Sequence, residues 1–128
     1  MKKILNIGII GSNEGNGHPI SFSSIFNGYN KKYLNKFCKF ELIKQYLPKF
    51  HKNKKSNIIK GAKVNYIWTQ SKINSYQISK ITNIENICNS LEEMSEKVDA
   101  VILARDDIAN HLEMAEIFLK KKIPIFID

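Results

Sequence analysis

The stretch 96–128, EKVDAVILARDDIANHLEMAEIFLKKKIPIFID, carries the clearest fold signal in the chain. Residues 98–104 are mostly branched and apolar, which predicts a strand buried on both faces. After the loop 105–107, apolar residues recur at three- and four-residue spacing and predict a helix, and 123–127 predict a second buried strand. The apolar helix positions are Ile108, Leu112, Ala115, Ile117, Phe118 and Leu119. This order predicts a right-handed, parallel βαβ unit.

The amino-terminal segment predicts a strand, a glycine-rich loop and a short helix. Residues 4–10, ILNIGII, are apolar apart from Asn6 and favour a strand in the centre of the sheet. The following loop 11–19, GSNEGNGHP, is dense in glycine and asparagine, as tight turns and close backbone approaches require. Ser21 or a neighbour is then expected to cap a short helix that ends at Asn27-Gly28.

The middle of the chain continues the alternation of strands and helices. Strands are predicted at 62–70 and 84–88, with a short helix at 75–81 between them. A further helix is predicted at 90–97, because Ser90 followed three residues later by Glu93 has the spacing of a capping box. Alternating strands and helices predict an open parallel sheet that binds a ligand at the carboxyl ends of its strands.

Residues 29–60 fit this alternation least well. Their aromatic residues alternate with lysines, a pattern compatible with a surface on which bases stack. We favour a helical or loop insertion that packs its apolar side on the core. Within it, residues 51–57, HKNKKSN, are expected to form an exposed loop, in which His51 needs no functional role.

The bulk composition bounds the class of protein. At 128 residues with 43% hydrophobic and 25% charged residues, the chain is expected to form one globular domain. Two cysteines, Cys38 and Cys88, show no metal-site spacing and are expected to be buried thiols in a reducing compartment, so we expect the cytoplasm. The sequence contains neither a signal-peptide pattern nor an apolar run of about 20 residues, so we expect no membrane association.

The charge balance raises the question of nucleic-acid binding. The formal net charge is +8, but Arg105 is the only arginine, and arginine forks usually contact bases and phosphates. A charge surplus alone concerns solubility and non-specific association. A basic nucleic-acid-binding α/β domain is therefore kept as a minor alternative.

The loop after the first strand is the candidate ligand site. Gly11, Gly15 and Gly17 allow close approach of the backbone to a pyrophosphate, and the helix that follows is expected to offer free N–H groups and a positive dipole end. The spacing departs from G-x-G-x-x-G, since Asn13 stands where the second glycine is expected and the loop is longer.

Three segments together resemble a known family: 7–11 (IGIIG), 98–104 followed by His111, and 124–128 (PIFID). They are similar to the NAD(P)-binding amino-terminal domain of the Gfo/Idh/MocA oxidoreductases, over nearly the whole chain apart from the insertion. The resemblance implies an α/β fold with a Rossmann-like, doubly wound parallel sheet in three layers, lacking the family's C-terminal domain. The chain departs from the family at Arg105-Asp106-Asp107 and at Asp128, where the family has Ala-Thr-Pro-Pro and Glu.

The resemblance also implies roles for particular residues in holding NAD or NADP. Gly11, Ser12, Asn13 and Gly17 would cradle the phosphates, with Gly15 and His18 in the same loop. Ala104, Arg105 and Asp106 would line the nicotinamide side, His111 would help to fix the loop geometry, and Asp128 would approach the nicotinamide ribose. The residue that contacts the adenosine ribose would follow the second strand, at Thr69, Gln70 or Ser71. That position carries no acid and has Lys72 nearby, so NAD and NADP both remain open.

The resemblance places catalysis outside the chain. The family's lysine would be the residue after Asp128, and its substrate pocket belongs to a second domain, so the chain is expected to bind a dinucleotide without turning over a sugar-like substrate. A partner domain or subunit is expected to cover the sheet edge, and the isolated chain is expected to self-associate. A non-catalytic nucleotide-binding or interaction module is the alternative.

Several of these residues also have simpler interpretations. His18 and His111 could be solvated loop and helix-surface residues. Arg105 could form an ion pair with Asp106 or Asp107 instead of facing a ligand. Asp106, Asp107 and His111 could suggest a metal site, but they lack a fourth ligand and we interpret the two acids as helix caps.

Overall fold

The computed structural model describes residues 3–52 and 58–128, and the described residues form a five-stranded, all-parallel sheet in the order β3-β2-β1-β4-β5. The strands are β1 (Leu5–Ile10), β2 (Ala62–Trp68), β3 (Asn86–Ile87), β4 (Ala100–Leu103) and β5 (Ile125–Ile127). The helices are α1 (His18–Asn27), α2 (Lys31–Phe37), α3 (Glu41–Phe50), α4 (Lys72–Thr82), α5 (Leu91–Ser95) and α6 (His111–Lys120), with a 3₁₀ turn at Ile108–Asn110. The prediction of an open, doubly wound parallel sheet is confirmed, with β1 at its centre.

Two apolar clusters cover the two faces of the sheet. One cluster joins β1 and β2 to α1, α4 and the insertion helices α2 and α3, through core residues such as Leu34 and Leu47. The other joins β4 to α5 and α6, through Met94 and Phe118. The molecule therefore has three layers, as right-handed crossovers require when the chain runs from β1 to β2 and β3 and then returns to β4 and β5 on the other side of β1.

The region 29–60 forms two helices followed by a segment only partly described. Its half-buried aromatic residues pack on the first cluster, so they serve mainly as core. The prediction of an exposed loop at 51–57 is wrong for His51, whose side chain is only 4% exposed, while 53–57 lie outside the described residues. Tyr46 and Phe50, at the far end of α3, remain 39% exposed.

The carboxyl-terminal βαβ unit has the predicted order but not the predicted burial. Strand β5 is an edge strand, and Phe126 is 59% exposed, so the prediction of a second buried strand is wrong. In α6 only Ala115 and Phe118 are buried, and Leu112 is 75% exposed. The apolar pattern was sufficient to predict the elements, but a sheet edge leaves one side of β5 and α6 without neighbours.

Helix ends and cysteines follow local chemistry. Helix α1 begins at His18, with Gly17 as its N-cap in place of the predicted Ser21, and it ends at Gly28 as expected. The Ser90 side chain accepts a hydrogen bond from the Glu93 amide, as the capping-box pattern predicted.

Cys38 and Cys88 are buried free thiols, and burial raises the pKa of Cys88 to about 11. Over the described residues, no helix is both long and apolar enough to cross a membrane.

Candidate functional site

The loop after β1 is held against the end of β2 by three hydrogen bonds. The Gly11 amide donates to the Trp68 carbonyl at 3.0 Å, and the Ser12 amide donates to the Gln70 side-chain oxygen at 3.0 Å. The Gln70 amide nitrogen donates in return to the Ser12 carbonyl. Gln70, predicted at the ribose position, therefore meets the predicted phosphate loop.

The same loop is tied to the end of β4. The Asp106 amide donates to the Asn13 side-chain oxygen at 3.1 Å, and the Asn13 side-chain nitrogen donates to the Asp106 carboxylate. The segments after β1, β2 and β4 thus meet at one edge of the sheet, although Asn13 and Asp106 are 93 positions apart. This is the crevice at the carboxyl ends of the strands where doubly wound folds bind ligands.

Arg105 lies inside this junction and is only 6% exposed. Its Nε donates to Asp107 at 2.8 Å, and its Nη1 donates to the Gln70 oxygen at 2.8 Å and to the Gly11 carbonyl at 3.4 Å. The hydrogen bond from Arg105 is the main reason why the pKa of Asp107 lies well below its usual value. The ion pair with Asp107 is thus formed, and the guanidinium clamps three loops together.

The two histidines occupy different positions in the crevice. His111 donates from Nε2 to the Arg105 carbonyl at 2.5 Å, which joins the start of α6 to the loop after β4. His18 is exposed and pairs through Nδ1 with the Asp128 carboxylate. Asp128 is itself held by its amide, which donates to the Leu103 carbonyl at 3.1 Å.

The two acids after β4 do not cap the following helix. Asp107 precedes the 3₁₀ turn, but its carboxylate binds the side chains of Arg105 and Asn110 instead of a backbone amide of that turn. The prediction that these acids are helix caps is therefore wrong for Asp107. Among the described residues no group of three or more His, Cys, Asp or Glu side chains is placed to hold a metal ion.

Fewer backbone N–H groups are free at the start of α1 than the sequence predicted. The His18 amide donates to the Asn16 side chain at 2.9 Å, Pro19 carries no N–H, and the Ile20 amide donates to the Gly17 carbonyl at 3.0 Å. The prediction of free N–H groups is therefore wrong for these positions. An anion at this edge would depend on loop amides and side chains as well as on the helix dipole.

The three loop glycines have different surroundings. A Cβ on Gly11 would lie 2.7 Å from Pro19 Cγ, and one on Gly17 would lie 2.3 Å from Ile43 Cδ1, so protein atoms fill the space at both positions. Gly15 has a φ of +80° and nothing within 4 Å of a Cβ position. Gly15 therefore provides the open backbone in this loop, in a conformation that favours glycine.

A cavity of about 610 Å³ opens beside the loop, which is within the range of small-molecule sites, roughly 300–1,000 Å³. Its polar lining includes Asn16, Gln70 and Asn74, and Phe37 and Phe40 of the insertion provide aromatic surface. The loop and the insertion therefore build the cavity together.

Asn16 lines this cavity and has a buried side-chain donor without a partner among the described residues. It is only 6% exposed, and its side-chain nitrogen has no hydrogen-bond partner among the described residues. A buried unpaired amide is costly unless a ligand or water satisfies it. Gly15 and Asn16 therefore place open backbone and an unpaired donor next to each other in the cavity lining.

Some predicted residues support the loop from beneath. Thr69 is 5% exposed, and its hydroxyl lies 2.8 Å from the Ser75 hydroxyl and donates to the Ser71 carbonyl. Ala104 is fully buried, and its amide donates to the Ile10 carbonyl at 2.9 Å. Both residues hold strand ends in place.

Most residues of the cavity lining were not predicted from the sequence, among them Asn16, Phe37, Lys39, Phe40 and Asn74. Asn16 lies in the loop predicted to hold phosphates, but an asparagine by itself does not indicate a ligand site. The apolar side of the insertion, with its aromatic residues, is predicted from the sequence to pack on the core. Their position at the cavity depends on how α2 and α3 fold back across the sheet.

Solved structures with the same fold include a dehydrogenase. The chain superposes on apo scyllo-inositol dehydrogenase from Lactobacillus casei with a TM-score of 0.61 and 16% identity, covering 99% of this chain and 28% of that protein. The chain has a Rossmann-type fold. The same enzyme with bound NAD(H) and scyllo-inositol gives a TM-score of 0.59 at 17% identity, covering 98% of this chain and 28% of the enzyme.

Sequence comparisons give no closer relationship. No protein-family model matches the chain, and no curated protein matches it significantly. The chain spans less than a third of the solved dehydrogenases it resembles, so the likeness concerns one domain of a longer enzyme.

Proposed function

We propose that this chain is the NAD(P)-binding domain of an oxidoreductase of the Gfo/Idh/MocA type, whose sugar-like substrate is bound by a second domain. The main observation is the cavity beside the loop after β1, whose lining includes Gly15, with open backbone, and Asn16, with an unpaired buried side-chain donor. A dinucleotide fits this site, because phosphate oxygens accept such hydrogen bonds and doubly wound folds bind nucleotides at this edge.

Different residues along the crevice would contact different parts of the dinucleotide. Asn13, Gly15 and Asn16 would hold phosphates, while Phe37 and Phe40 would pack on the adenine. Arg105, Asp106 and Asp128 border the other end of the crevice, where the nicotinamide would lie, and His111 fixes that border through the Arg105 carbonyl. His18 would assist there through its contact with Asp128.

The cofactor would supply the hydride, and this chain would bind and orient it. Hydride transfer also needs a substrate carbon held against the nicotinamide with an acid–base group in reach. We assign those groups to the second domain, and the greater length of the dehydrogenase with the same fold, of which this chain covers 28%, leaves room for such a domain.

The position of the only arginine argues against the nucleic-acid alternative. Arg105 is buried and bonded to Asp107, so it is not available to contact phosphates from outside. The remaining positive charge comes from lysines, which suits non-specific association more than base recognition.

Titration with NADH and NADPH, followed through Trp68 fluorescence, tests the proposal. Trp68 ends β2, and its carbonyl accepts the Gly11 amide, so occupation of the loop should change its emission. We expect saturable changes with at least one cofactor and weaker binding of ATP. Equal or tighter binding of ATP would favour a non-catalytic nucleotide-binding module, and flat titrations with both dinucleotides would reject the proposal.

A matched pair of variants locates the binding. N16D removes the free donor and adds a negative charge, so it should weaken dinucleotide binding more than tenfold. N35D makes the same charge change on the exposed side of α2 and should leave binding unchanged. Equal weakening by both variants would indicate non-specific attraction to a basic protein.

A further inference from the structure

The position after β2 contains no group that would select an unphosphorylated adenosine ribose. NAD-selective domains of this fold place a carboxylate there to accept from the ribose hydroxyls. Here Gln70 follows β2, and its oxygen already accepts from the Ser12 amide at 3.0 Å and from Arg105 at 2.8 Å. Its amide nitrogen donates to the Ser12 carbonyl. Both polar atoms of the Gln70 side chain are therefore already hydrogen-bonded within the junction of the loops.

A cation from the insertion lines the same cavity as Gln70. Lys39 lines the same cavity as Gln70 and has no ion-pair partner in the described part of the chain. It stands between Phe37 and Phe40 in the sequence, so the segment that provides aromatic surface also provides the charge. The side chain is exposed and can move toward an anion at little cost.

The other charges at the cavity do not provide the missing acid. Glu14 is the only carboxylate among the described lining residues, and it lies on the loop after β1, so it would oppose every phosphate of the cofactor. The charge of Arg105 is offset by Asp107. Lys39 is thus the cation of the cavity lining that could distinguish one adenosine from another, and Lys72 lies outside that lining.

We propose that the site prefers a 2′-phosphorylated adenosine, so that the cofactor is NADP(H), and that Lys39 is the specificity-determining residue. This inference rests on the proposed function. A charge-assisted contact between an ammonium and a phosphate stabilises more than a neutral hydrogen bond does, and a hydroxyl would gain little from it.

Binding of NADPH and NADH by isothermal titration calorimetry tests the preference. We expect NADPH to bind about tenfold more tightly than NADH, with a ratio that falls as salt is added. Adenosine 2′,5′-bisphosphate and 5′-AMP should show the same order, because they differ at the 2′ position alone. Tighter binding of NADH, or equal binding of the two dinucleotides, would overturn the inference and leave the proposed function standing.

Three lysine variants identify the residue responsible. K39Q should remove most of the NADPH preference while leaving NADH affinity within about twofold. K31Q makes the same charge change on α2 away from the cavity and should preserve the preference. Loss of the preference in K72Q but not in K39Q would assign it to the start of α4 and overturn the role of Lys39. If neither dinucleotide binds any form, the proposed function itself fails.

Discussion

His51 is the residue whose environment differs most from its expected one. Its side chain is 4% exposed and lies against the rings of Tyr29, at 5.5 Å, and Phe50, at 4.9 Å. Neither ring nitrogen has a hydrogen-bond partner among the described residues. Burial disfavours the charged imidazolium and lowers the pKa of His51 below its ordinary 6.5. The residue acts as a neutral member of the core.

This burial predicts a pH dependence of stability. Because the folded pKa is lowered, the unfolded chain binds more protons below about pH 6.5, so stability is complete above that pH and declines as the pH falls. H51L should flatten the decline between about pH 7 and pH 5. Urea unfolding of the parent chain and of H51L at about pH 7 and about pH 5 measures this change in the free energy of unfolding. The same loss of stability in H51L as in the parent chain would contradict the assignment.

At the scale of elements, short-range chemistry sets where helices begin. The Ser90 hydroxyl accepts from the Glu93 amide at 3.1 Å, while the Glu93 carboxylate accepts from the Asn89 amide at 2.7 Å. The reciprocal bond of the capping box has thus moved one residue toward the amino terminus. In α1 the N-cap is Gly17, and Ser21 lies inside the helix.

These two serines provide a matched test of capping. S90A removes the cap of α5 and should lower the free energy of unfolding by about 1 kcal/mol. S21A removes a hydroxyl whose contact to the Gly17 carbonyl is long, at 3.5 Å, and should change stability by less than about 0.5 kcal/mol. Chemical denaturation with a common m-value compares them. A larger cost for S21A would mean that the caps have been assigned wrongly.

At the scale of the whole molecule, the carboxyl-terminal βαβ unit carries several strongly exposed apolar residues. Ile108 is 80% exposed, Leu112 is 75% exposed and Phe126 is 59% exposed. An apolar groove of about 470 Å³ lies beside β5, bordered by Phe22 and Phe126. Large exposed apolar residues and an apolar groove of this kind often mark a surface that meets another domain or subunit.

We therefore expect the isolated 128-residue chain to self-associate. The double variant I108Q/L112Q, and separately F126S, should shift the population toward monomer in sedimentation velocity at high micromolar concentration. L42Q is the control, because Leu42 is 78% exposed on α3, away from this surface. A monodisperse monomer of the parent chain, or an equal effect of L42Q, would contradict this expectation.

The amino-acid sequence by itself determined the order of strands and helices, the central position of β1 and the loop after it. These features follow from periodicity and turn chemistry within a few neighbouring residues. The tertiary structure decided that Arg105 turns inward to Asp107 and Gln70, that His51 is core, and that Phe37, Lys39 and Phe40 reach the cavity. Those outcomes depend on contacts between residues far apart in the chain, such as Asn13 with Asp106, and on which side of the sheet each crossover covers. Local pattern cannot specify them, because the same apolar and charged residues suit several neighbours until the sheet order fixes which ones they meet.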